Sequence, residues 1–488
     1  MTDTPPPGNS DDAGFSAAAT VPRPAETGTI PVAALDLQEG KRIARGWVVA
    51  WAFWDWGGAA FNAVITTFVF TVYLTSSYFV GPALARARDA ETDTNGVARQ
   101  AYSSAEASLT SSLGFGLAIA GVIVALIAPV LGQRTDASGR RKLWLGINTG
   151  VVVLMTALLF FVEGKPAFFI LGVGLVSVGT IFYEIATVNY NAMLVQVSTP
   201  KTVGKVSGLG WGAGYLGGIV LLLFVLLGLV GLTAGSGGFL GLSHANGFNI
   251  RIIAVISALW TLAFSLPILL TVPEISSANR RVRVGFFESY VVLFRDIATL
   301  WKESRQTVLF LISSALFRDG LVGVFTFGGI LAQGTFHFTS SQVIIFAIAA
   351  NVVAGVSTMI SGLFDDRFGA KPVIVVSLVG LIVAGLGVFF AHDLGSGAFW
   401  IGGLVLCLFV GPAQSASRTF LTRLTPAGRE GQVFGLYATT GRAVSFLAPL
   451  LFSIFVAVSH AQYWGILGIV IVLLAGLLLL IPVGARAK

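Results

Sequence analysis

The sequence predicts an all-α membrane protein with twelve transmembrane helices in two pseudo-symmetric six-helix bundles. Of its 488 residues, 55% are hydrophobic and only 11% are charged, whereas soluble domains carry about 25% charged residues. Apolar runs of about 20 residues, which is the length that crosses a bilayer, recur from residue 47 to residue 483. Polar motifs from the first half of the chain return in the second half, which indicates two related bundles.

Twelve apolar runs are predicted to span the membrane, six on each side of a polar stretch. They are Trp47–Phe79, Leu109–Leu131, Leu143–Val162, Ala167–Val195, Val203–Leu232, Phe248–Val272, Thr307–Leu331, Ser340–Phe364, Val373–Ala391, Ala398–Leu421, Val433–Val458 and Tyr463–Val483.

These spans divide the chain into two bundles with polar segments around them. We predict a disordered cytoplasmic tail at 1–46, an N-terminal six-helix bundle at 47–272 and a central cytoplasmic loop at 273–306. A C-terminal six-helix bundle at 307–483 and a cytoplasmic tail at 484–488 complete the organisation. The first 40 residues are rich in Pro, Ala, Thr and Asp and lack the apolar core of a signal peptide.

The positive charges predict the orientation. When the N-terminus is placed inside, most of the 30 lysines and arginines fall in the inner tails and loops. Cytoplasmic loops of membrane proteins carry this excess. We therefore expect both termini in the cytoplasm and the protein in the plasma (inner) membrane.

Two loop motifs repeat each other at equivalent places in the two halves. In each motif an Asp stands four residues after the first Gly, and a second Gly stands three residues after that Asp. Basic residues follow. The first motif comprises Gly132, Asp136, Gly139, Arg140, Arg141 and Lys142, and the second comprises Gly362, Asp366, Arg367, Gly369 and Lys371. Parallel repeats with a binding site at their interface are a transporter design. The basic residues could serve only as topology signals, but the repeated Asp and Gly favour a gate on the cytoplasmic side.

The first motif resembles the Gly-x-x-x-Asp-Arg/Lys-x-Gly-Arg-Arg-Lys loop signature of the major facilitator superfamily. Ala137 stands where a basic residue is usual, so one ion pair of that family's inner gate is expected to be missing. Segments 54–70, 208–217, 414–418 and 434–441 further resemble the branch of fungal autophagy-related vacuolar amino-acid effluxers and their bacterial relatives. The resemblance implies a central cavity lined by helices one, four, seven and ten.

Charged residues inside the spans are the candidates for function, because a charge at the bilayer centre costs about 3 to more than 10 kcal/mol. At about 100° per residue, the side chains of Asn62, Thr66 and Tyr73 share one helix face with Asp55. The predicted substrate or coupling residues are Asp55, Asn62, Thr66, Tyr73, Glu184, Thr187, Asn191, Arg318, Asp319, Gln414, Tyr437 and Arg442. The predicted cytoplasmic gate consists of the two loop motifs and Arg418.

Structural pairing remains an alternative for these charges. Asp55 and Glu184 could pair between helices, and the charges of the two halves could form salt bridges that close an empty carrier. Arg318 and Asp319 point about 100° apart on a helix, so only one can face the cavity and the other is expected to pair laterally.

No enzyme motif is present: we find no His-Glu-x-x-His, no Gly-x-Ser-x-Gly and no phosphate-binding loop. We therefore expect no enzymatic activity, catalytic residue, cofactor or metal site. The single cysteine, Cys407, excludes an intrachain disulfide. Without a phosphate loop, energy for transport is expected to come from a gradient.

The predicted function is secondary active transport of a small solute, an amino acid or similar zwitterion, by rocker-switch alternating access with proton coupling. Asp55 or Glu184 is the predicted coupling group. The expected partners are a small-molecule substrate, protons and the lipid bilayer, without nucleic acid, and the chain is expected to be a monomer. Two alternatives remain: a lipid or lipophile flippase of the same fold, which needs a laterally open apolar cavity, and a non-transporting sensor or scaffold, which needs a soluble output domain.

Overall fold

The computed structural model describes residues 43–88, 96–138, 140–199, 202–232, 238–274, 286–425 and 430–484. Within these residues twelve helices are long and apolar enough to cross a membrane, and no β-strand is present. The predicted fold class and the number of spans are therefore confirmed. The spans are α1 (Arg45–Leu74), α2 (Val97–Ala128), α3 (Arg141–Phe161), α4 (Pro166–Ala192), α5 (Val206–Val230), α6 (Ala245–Thr271), α7 (Arg305–Gly334), α8 (Ser340–Asp365), α9 (Ala370–Phe390), α10 (Ser396–Leu424), α11 (Gly435–Ser459) and α12 (Gln462–Leu480).

Several bounds differ from the prediction. The first span ends at Leu74, and the short helices Ser77–Val80 and Pro82–Arg88 follow it. The second helix begins at Val97 and not at the predicted Leu109. The prediction began too late because it followed apolar runs, and the first turns of this helix are polar. The central stretch predicted as a loop contains the helix Phe286–Glu303, which we call the connecting helix.

Helix α1 changes its winding halfway across the membrane. It is α-helical over Arg45–Ala59, a π-helix over Ala60–Phe68 and α-helical again over Phe70–Leu74. The backbone N–H of Val69 accordingly donates to the carbonyl of Val64, five residues earlier. A π-helix has more residues per turn than an α-helix. Residues beyond Ala60 therefore leave the face that a spacing of 100° per residue assigns to them.

Helix α11 is interrupted. Its inner segment is the helix Glu430–Ala443, and its outer segment is Leu447–Ser459. A turn separates the two segments, and the first N–H groups of the outer segment need an acceptor there because they have no helical partner.

Small residues bring the two halves together on the predicted outer side. A Cβ on Gly329 of α7 would lie 2.8 Å from the carbonyl oxygen of Thr67 in α1, and one on Gly114 of α2 would lie 3.4 Å from the carbonyl oxygen of Pro449 in α11. Close backbone approach at small residues is the usual way in which membrane helices pack. The outer ends of the two halves are thus closed against each other.

Two hydrogen bonds join the halves near their outer ends. Ser341 Oγ, at the start of α8, donates to the carbonyl of Gly231, just beyond α5, at 2.7 Å. Gln462 Nε2 of α12 donates to Thr110 Oγ1 of α2 at 2.8 Å. These buried bonds extend the outer closure made by the glycines.

Candidate substrate site

A polar cavity lies between the two halves and contains about 950 Å³ of space not filled by protein atoms. Both halves contribute to its wall. Its polar lining residues are Asp55, Asn62, Thr67, Thr326, Asn351 and Gln414, and its aromatic lining residues include Phe68, Tyr183, Trp211, Tyr215 and Phe325. A cavity with a few convergent polar groups is the default place to look for a ligand.

Asp55 is placed in this cavity by the tryptophan that precedes it. The Trp54 side chain is only 2% exposed, donates to Thr149 Oγ1 at 3.1 Å and stacks on Tyr190 with 4.4 Å between ring centroids. This packing fixes the rotation of α1, so Asp55 on the next position lines the cavity. Gly214 of α5 leaves room for it, because a Cβ there would lie 3.3 Å from Asp55 Cγ.

The Asp55 carboxylate has no cationic partner among the described residues. The ion pairs formed in that part of the chain involve other carboxylates. An unpaired carboxylate inside a membrane span is costly unless water, a proton or a ligand accompanies it. Asp55 is therefore the strongest single indication of a binding or coupling site.

Glu184 and Arg442 form an ion pair that joins α4 of the first half to α11 of the second half. Their side chains are 30% and 20% exposed. The alternative of a salt bridge between the halves therefore describes these two residues better than the predicted direct substrate contact. Tyr183, the residue before Glu184, lines the cavity, whereas Glu184 and Arg442 do not.

Arg318 and Asp319 do not line the cavity, which corrects their predicted role in substrate binding or coupling. Arg318 Nη1 donates to the carbonyl of Tyr437 at 3.1 Å, and its Cζ lies 4.1 Å from the centre of the Tyr437 ring. Asp319 is buried and accepts from the N–H of Ala448 at 2.6 Å, in the first turn of the outer segment of α11. Asp319 therefore supplies the acceptor that the interruption of α11 requires.

Tyr437 is likewise occupied inside the second half. Its hydroxyl forms a 2.6 Å hydrogen bond with Ser417 Oγ of α10, and its ring lies under Arg318. Its predicted contact with substrate is thus replaced by a link between α7, α10 and α11.

Arg418, predicted as a gate residue, lies beside Trp211, a residue that lines the cavity, but does not itself line it. Its Cζ is 4.5 Å from the centre of the Trp211 ring, which belongs to α5 of the other half. Trp211 and Tyr215 line the cavity, and Tyr215 is within electrostatic range of both Arg418 and Asp55. No carboxylate pairs with Arg418 in the described part of the chain. The cavity is thus lined by the Asp55 carboxylate of one half, and the Arg418 guanidinium of the other half lies behind the lining residue Trp211.

The polar stripe predicted along α1 is wrong beyond Asn62, because the π-helical segment shifts the register. Thr67, and not Thr66, lines the cavity. Thr66 Oγ1 donates to the carbonyl of Asn62 at 2.8 Å. Tyr73 is buried near the outer end of the helix, where its hydroxyl bonds to the carbonyl of Val162 at 3.2 Å.

The predicted α4 residues Thr187 and Asn191 do not line the cavity either. Thr187 Oγ1 donates to the carbonyl of Tyr183 at 2.8 Å, in its own helix. Asn191 is exposed close to the inner end of α4. The predicted Gln414, by contrast, lines the cavity together with Asn62.

Sequence reasoning missed Asn351, Thr326, Trp211 and Tyr215. Asn351 of α8 could have been found by the argument used for the charged residues, because an amide in the middle of a span also needs a partner. Trp211 and Tyr215 gave no such signal, since aromatic residues are common on the apolar faces of membrane helices.

The basic residues of the two loop motifs bind carbonyl groups at helix ends in their own halves. Lys142 Nζ donates to the carbonyl of Val272 at 3.0 Å, just beyond α6, and Lys371 Nζ donates to that of Val483 at 2.7 Å, just beyond α12. Arg141 Nη1 donates to the carbonyl of Ala192 at 2.9 Å, at the end of α4. These bonds satisfy the carbonyls that a helix end leaves without partners. In this conformation the three residues therefore cap helix ends in their own halves.

In the second loop motif, Asp365, next to the predicted Asp366, forms an ion pair. Asp365 Oδ1 lies 3.1 Å from Nη2 of Arg423, so the pair joins α8 to α10 within one half. Gly369 has φ +90°, a conformation that L side chains rarely adopt, and it makes the turn into α9. Arg367 lies beside the Phe368 ring at 5.4 Å.

The structure describes two further residues of the predicted gate. Arg140 is exposed before α3, and a Cβ on Gly362 would contact nothing within 4 Å. Gly132, Asp136, Gly139 and Asp366 lie outside the residues whose side chains the structure describes. Their gate role stays a prediction.

A sequence model of the family described as "Vacuole effluxer Atg22 like" matches residues 44–199 and 195–487. The uncharacterized MFS-type transporter YxiO of Bacillus subtilis is 25% identical over 440 residues, which cover 88% of this chain and 93% of YxiO. Autophagy-related protein 22 of Yarrowia lipolytica is 24% identical over 331 residues. That match covers 61% of this chain and 53% of the fungal protein, so the chain spans about half the length of this relative.

Two solved transporters have the same fold. A D-xylose–proton symporter superposes with a TM-score of 0.62 at 14% identity, covering 90% of this chain and 97% of the symporter. The nucleoside transporter NupG superposes with a TM-score of 0.58 at 15% identity, covering 91% of this chain and all of NupG. At these identities the likeness establishes the fold alone.

Proposed function

Because the chain belongs to the vacuole effluxer Atg22-like family and is an integral membrane transporter of the major facilitator type, we propose that its substrate is a small zwitterion such as an amino acid. The family assignment confirms the resemblance found in the sequence motifs. The relatives are transporters and not enzymes. Substrate class, coupling and site residues are our proposals.

The observation that carries the proposal is the unpaired Asp55 carboxylate in a cavity between the halves. A substrate ammonium group beside Asp55 would neutralise this charge inside the membrane. The aromatic rings of Tyr183, Trp211 and Tyr215 line the same cavity, and their π faces attract cations.

A substrate carboxylate has a partner in Arg418. This guanidinium lies over the cavity-lining Trp211 and has no carboxylate partner among the described residues. Guanidinium groups bind carboxylates with two parallel hydrogen bonds. A zwitterion would therefore join an anion of the first half to a cation of the second. Neutral solutes would leave both charges without partners, which is expensive in a membrane. Arg418 replaces Arg318 and Arg442, which already have partners, as the proposed carboxylate contact.

The lining also favours a hydrophilic solute over a lipid. Asn62, Asn351 and Gln414 present amides to the cavity, and an acyl chain could not satisfy their hydrogen bonds.

Transport would proceed by rocking of the halves about this cavity. In the observed conformation the outer ends are closed by Gly114, Gly329 and the Ser341 and Gln462 hydrogen bonds. The opposite conformation must break these contacts and form others on the inner side. Asp55 is the better candidate for the proton-coupling group, because Glu184 is held by Arg442 in the observed state.

Transport by the purified protein in proteoliposomes tests the proposal. Radiolabelled amino acids should be transported, whereas matched compounds that have only the amine or only the carboxylate should be poor substrates. Asp55→Asn and Arg418→Gln should each reduce transport at least tenfold, because a charge-assisted hydrogen bond contributes about 1.5–3 kcal/mol. Glu163→Gln, in an outer loop, is the matched control. Transport of a neutral solute but of no zwitterion would refute the proposal.

The same liposomes test proton coupling. A pH gradient should accelerate uptake or efflux by the wild-type protein and have no effect on residual exchange by Asp55→Asn. If the variant retains the wild-type dependence on the gradient, Asp55 is not the coupling group.

A further inference from the structure

A second cavity lies in the outer part of the second half and is separate from the proposed substrate site. It contains about 620 Å³ of space not filled by protein atoms, which is within the range of small-molecule sites. Helices α7, α8, α9, α10 and α12 all contribute to its wall. Its lining residues include Leu331, Phe346, Leu381, Val388, Phe399 and Ile469.

The wall of this apolar cavity favours an apolar occupant. Among the described residues it consists of hydrocarbon side chains and glycines, and the Cys407 thiol is its most polar group. A buried water needs about two to four polar partners, so an apolar cavity stays dry and accepts apolar molecules instead. Leu331, Phe346 and Phe399 are each at most 5% exposed. An occupant would therefore be enclosed by protein on most of its surface.

The free space is concentrated beside Gly328. This residue lines the cavity, and a Cβ added to it would contact nothing within 4 Å. Elsewhere the wall is tightly packed, since a Cβ on Gly403 would lie 2.6 Å from Phe346 Cζ and one on Gly385 would lie 3.0 Å from Val470 Cγ2. The space therefore suits a single small ring and not a lipid tail.

Two phenylalanines separate the apolar cavity from the substrate cavity, because Phe68 and Phe325 line both. Phe325 belongs to α7, whereas Phe68 ends the π-helical segment of α1 and is the part of the apolar wall that comes from the first half. A Cβ on Gly329 would lie 3.4 Å from Phe68 Cδ1, so Phe68 packs where the outer ends are closed. An occupant would thus touch the first half through Phe68 and the second half on its other sides.

We propose that the apolar cavity is an allosteric site for a small apolar molecule of about the size of one aromatic ring. Opening of the outer ends would withdraw Phe68 with α1 and remove part of the wall. A ligand that binds one conformation better than another shifts the population toward it. The occupant would therefore hold the outer ends closed and slow transport without entering the substrate cavity. The proposal does not depend on which solute is transported.

Toluene is the probe for this site, and the Cys407 thiol reports its occupancy. Cys407 lines the cavity and is the only cysteine of the chain, so the full-length protein in liposomes can be used unchanged. Methyl methanethiosulfonate, which is small and uncharged, should modify Cys407, whereas its trimethylammonium-ethyl analogue should not. Toluene at about ten times its dissociation constant should slow the modification about tenfold. Hexadecane, which has the length of a lipid tail, should not slow it.

Two glycine variants give the matched comparison. Gly328→Leu fills the cavity and should slow modification of Cys407 and remove the effect of toluene. Gly387→Leu should behave as the wild type, because Gly387 is an exposed residue of α9 whose added Cβ also has no neighbour within 4 Å. In the wild type, a thiol that toluene does not protect, or that does not react at all, would overturn the proposal. Protection by hexadecane would overturn it in favour of a lipid tail.

The effect on conformation is tested by the distance between the outer ends. Spin labels at Ser77→Cys, in the helix after α1, and Ser340→Cys, at the start of α8, occupy exposed positions in the two halves. In a Cys407→Ala background, toluene should raise the population of the short distance, and Gly328→Leu should abolish this response. If toluene protects Cys407 but leaves the distances unchanged, the allosteric role is wrong.

Discussion

Removal of either partner of the Glu184–Arg442 ion pair should weaken the contact between the two halves. The pair crosses from α4 to α11, and its side chains are 30% and 20% exposed. Two unit charges about 4 Å apart interact by about 4 kcal/mol at the effective dielectric constant of about 20 that suits protein sites. Partial exposure reduces this value, so we expect a coupling of about 2 kcal/mol, or about thirtyfold in an equilibrium constant.

A double-mutant cycle measures this coupling. Glu184→Gln or Arg442→Gln alone should cost about 3 kcal/mol of unfolding free energy, because each leaves one charge unpaired inside the membrane. The double variant should lose less unfolding free energy than the two single variants lose together, and the difference should equal the coupling energy. Equilibrium unfolding in mixed micelles gives the free energies. A coupling below about 0.5 kcal/mol would show that the pair does not join the halves.

Three further predictions follow from particular contacts. Gly329→Ala should open the outer side and increase labelling of outer cysteines, because its Cβ would lie 2.8 Å from the carbonyl oxygen of Thr67. The control Gly328→Ala should leave labelling unchanged, because a Cβ there has no neighbour within 4 Å. Equal labelling of the two variants would contradict the outer closure. Lys371→Met should lower the unfolding free energy by about 1 kcal/mol through loss of a helix-end hydrogen bond without changing the transport rate, and a large change in rate would instead support a gate role. A cysteine at Lys165 should react with an impermeant maleimide from outside intact cells and one at Arg140 only after lysis, and the reverse pattern would invert the topology.

Membrane insertion, the span count and the duplication follow from the sequence alone, because they depend on the length and composition of apolar runs. A bilayer has one thickness, so any run of about 20 apolar residues is a span whatever it packs against. The loop motifs repeat because each half uses a lysine of its motif to cap an equivalent helix end, as Lys142 and Lys371 do. Asp55 was found for a similar reason, since a charge in a span is expensive before any neighbour is known.

The assignment of the other charges was decided by tertiary structure. The sequence could not show that Arg442 meets Glu184, that Asp319 accepts from Ala448 or that Arg418 lies over Trp211, because each partner comes from a distant part of the chain.

The π-helical segment of α1 could not be predicted either, since it depends on how α1 packs and not on local preference. Because of this segment, Thr67 and not Thr66 lines the cavity, and Tyr73 packs near the outer end of the helix, where it bonds to the carbonyl of Val162. The sequence therefore determines which residues the membrane cannot leave unpaired. The fold alone determines which of them pair with each other and which, like Asp55, remain available to a solute.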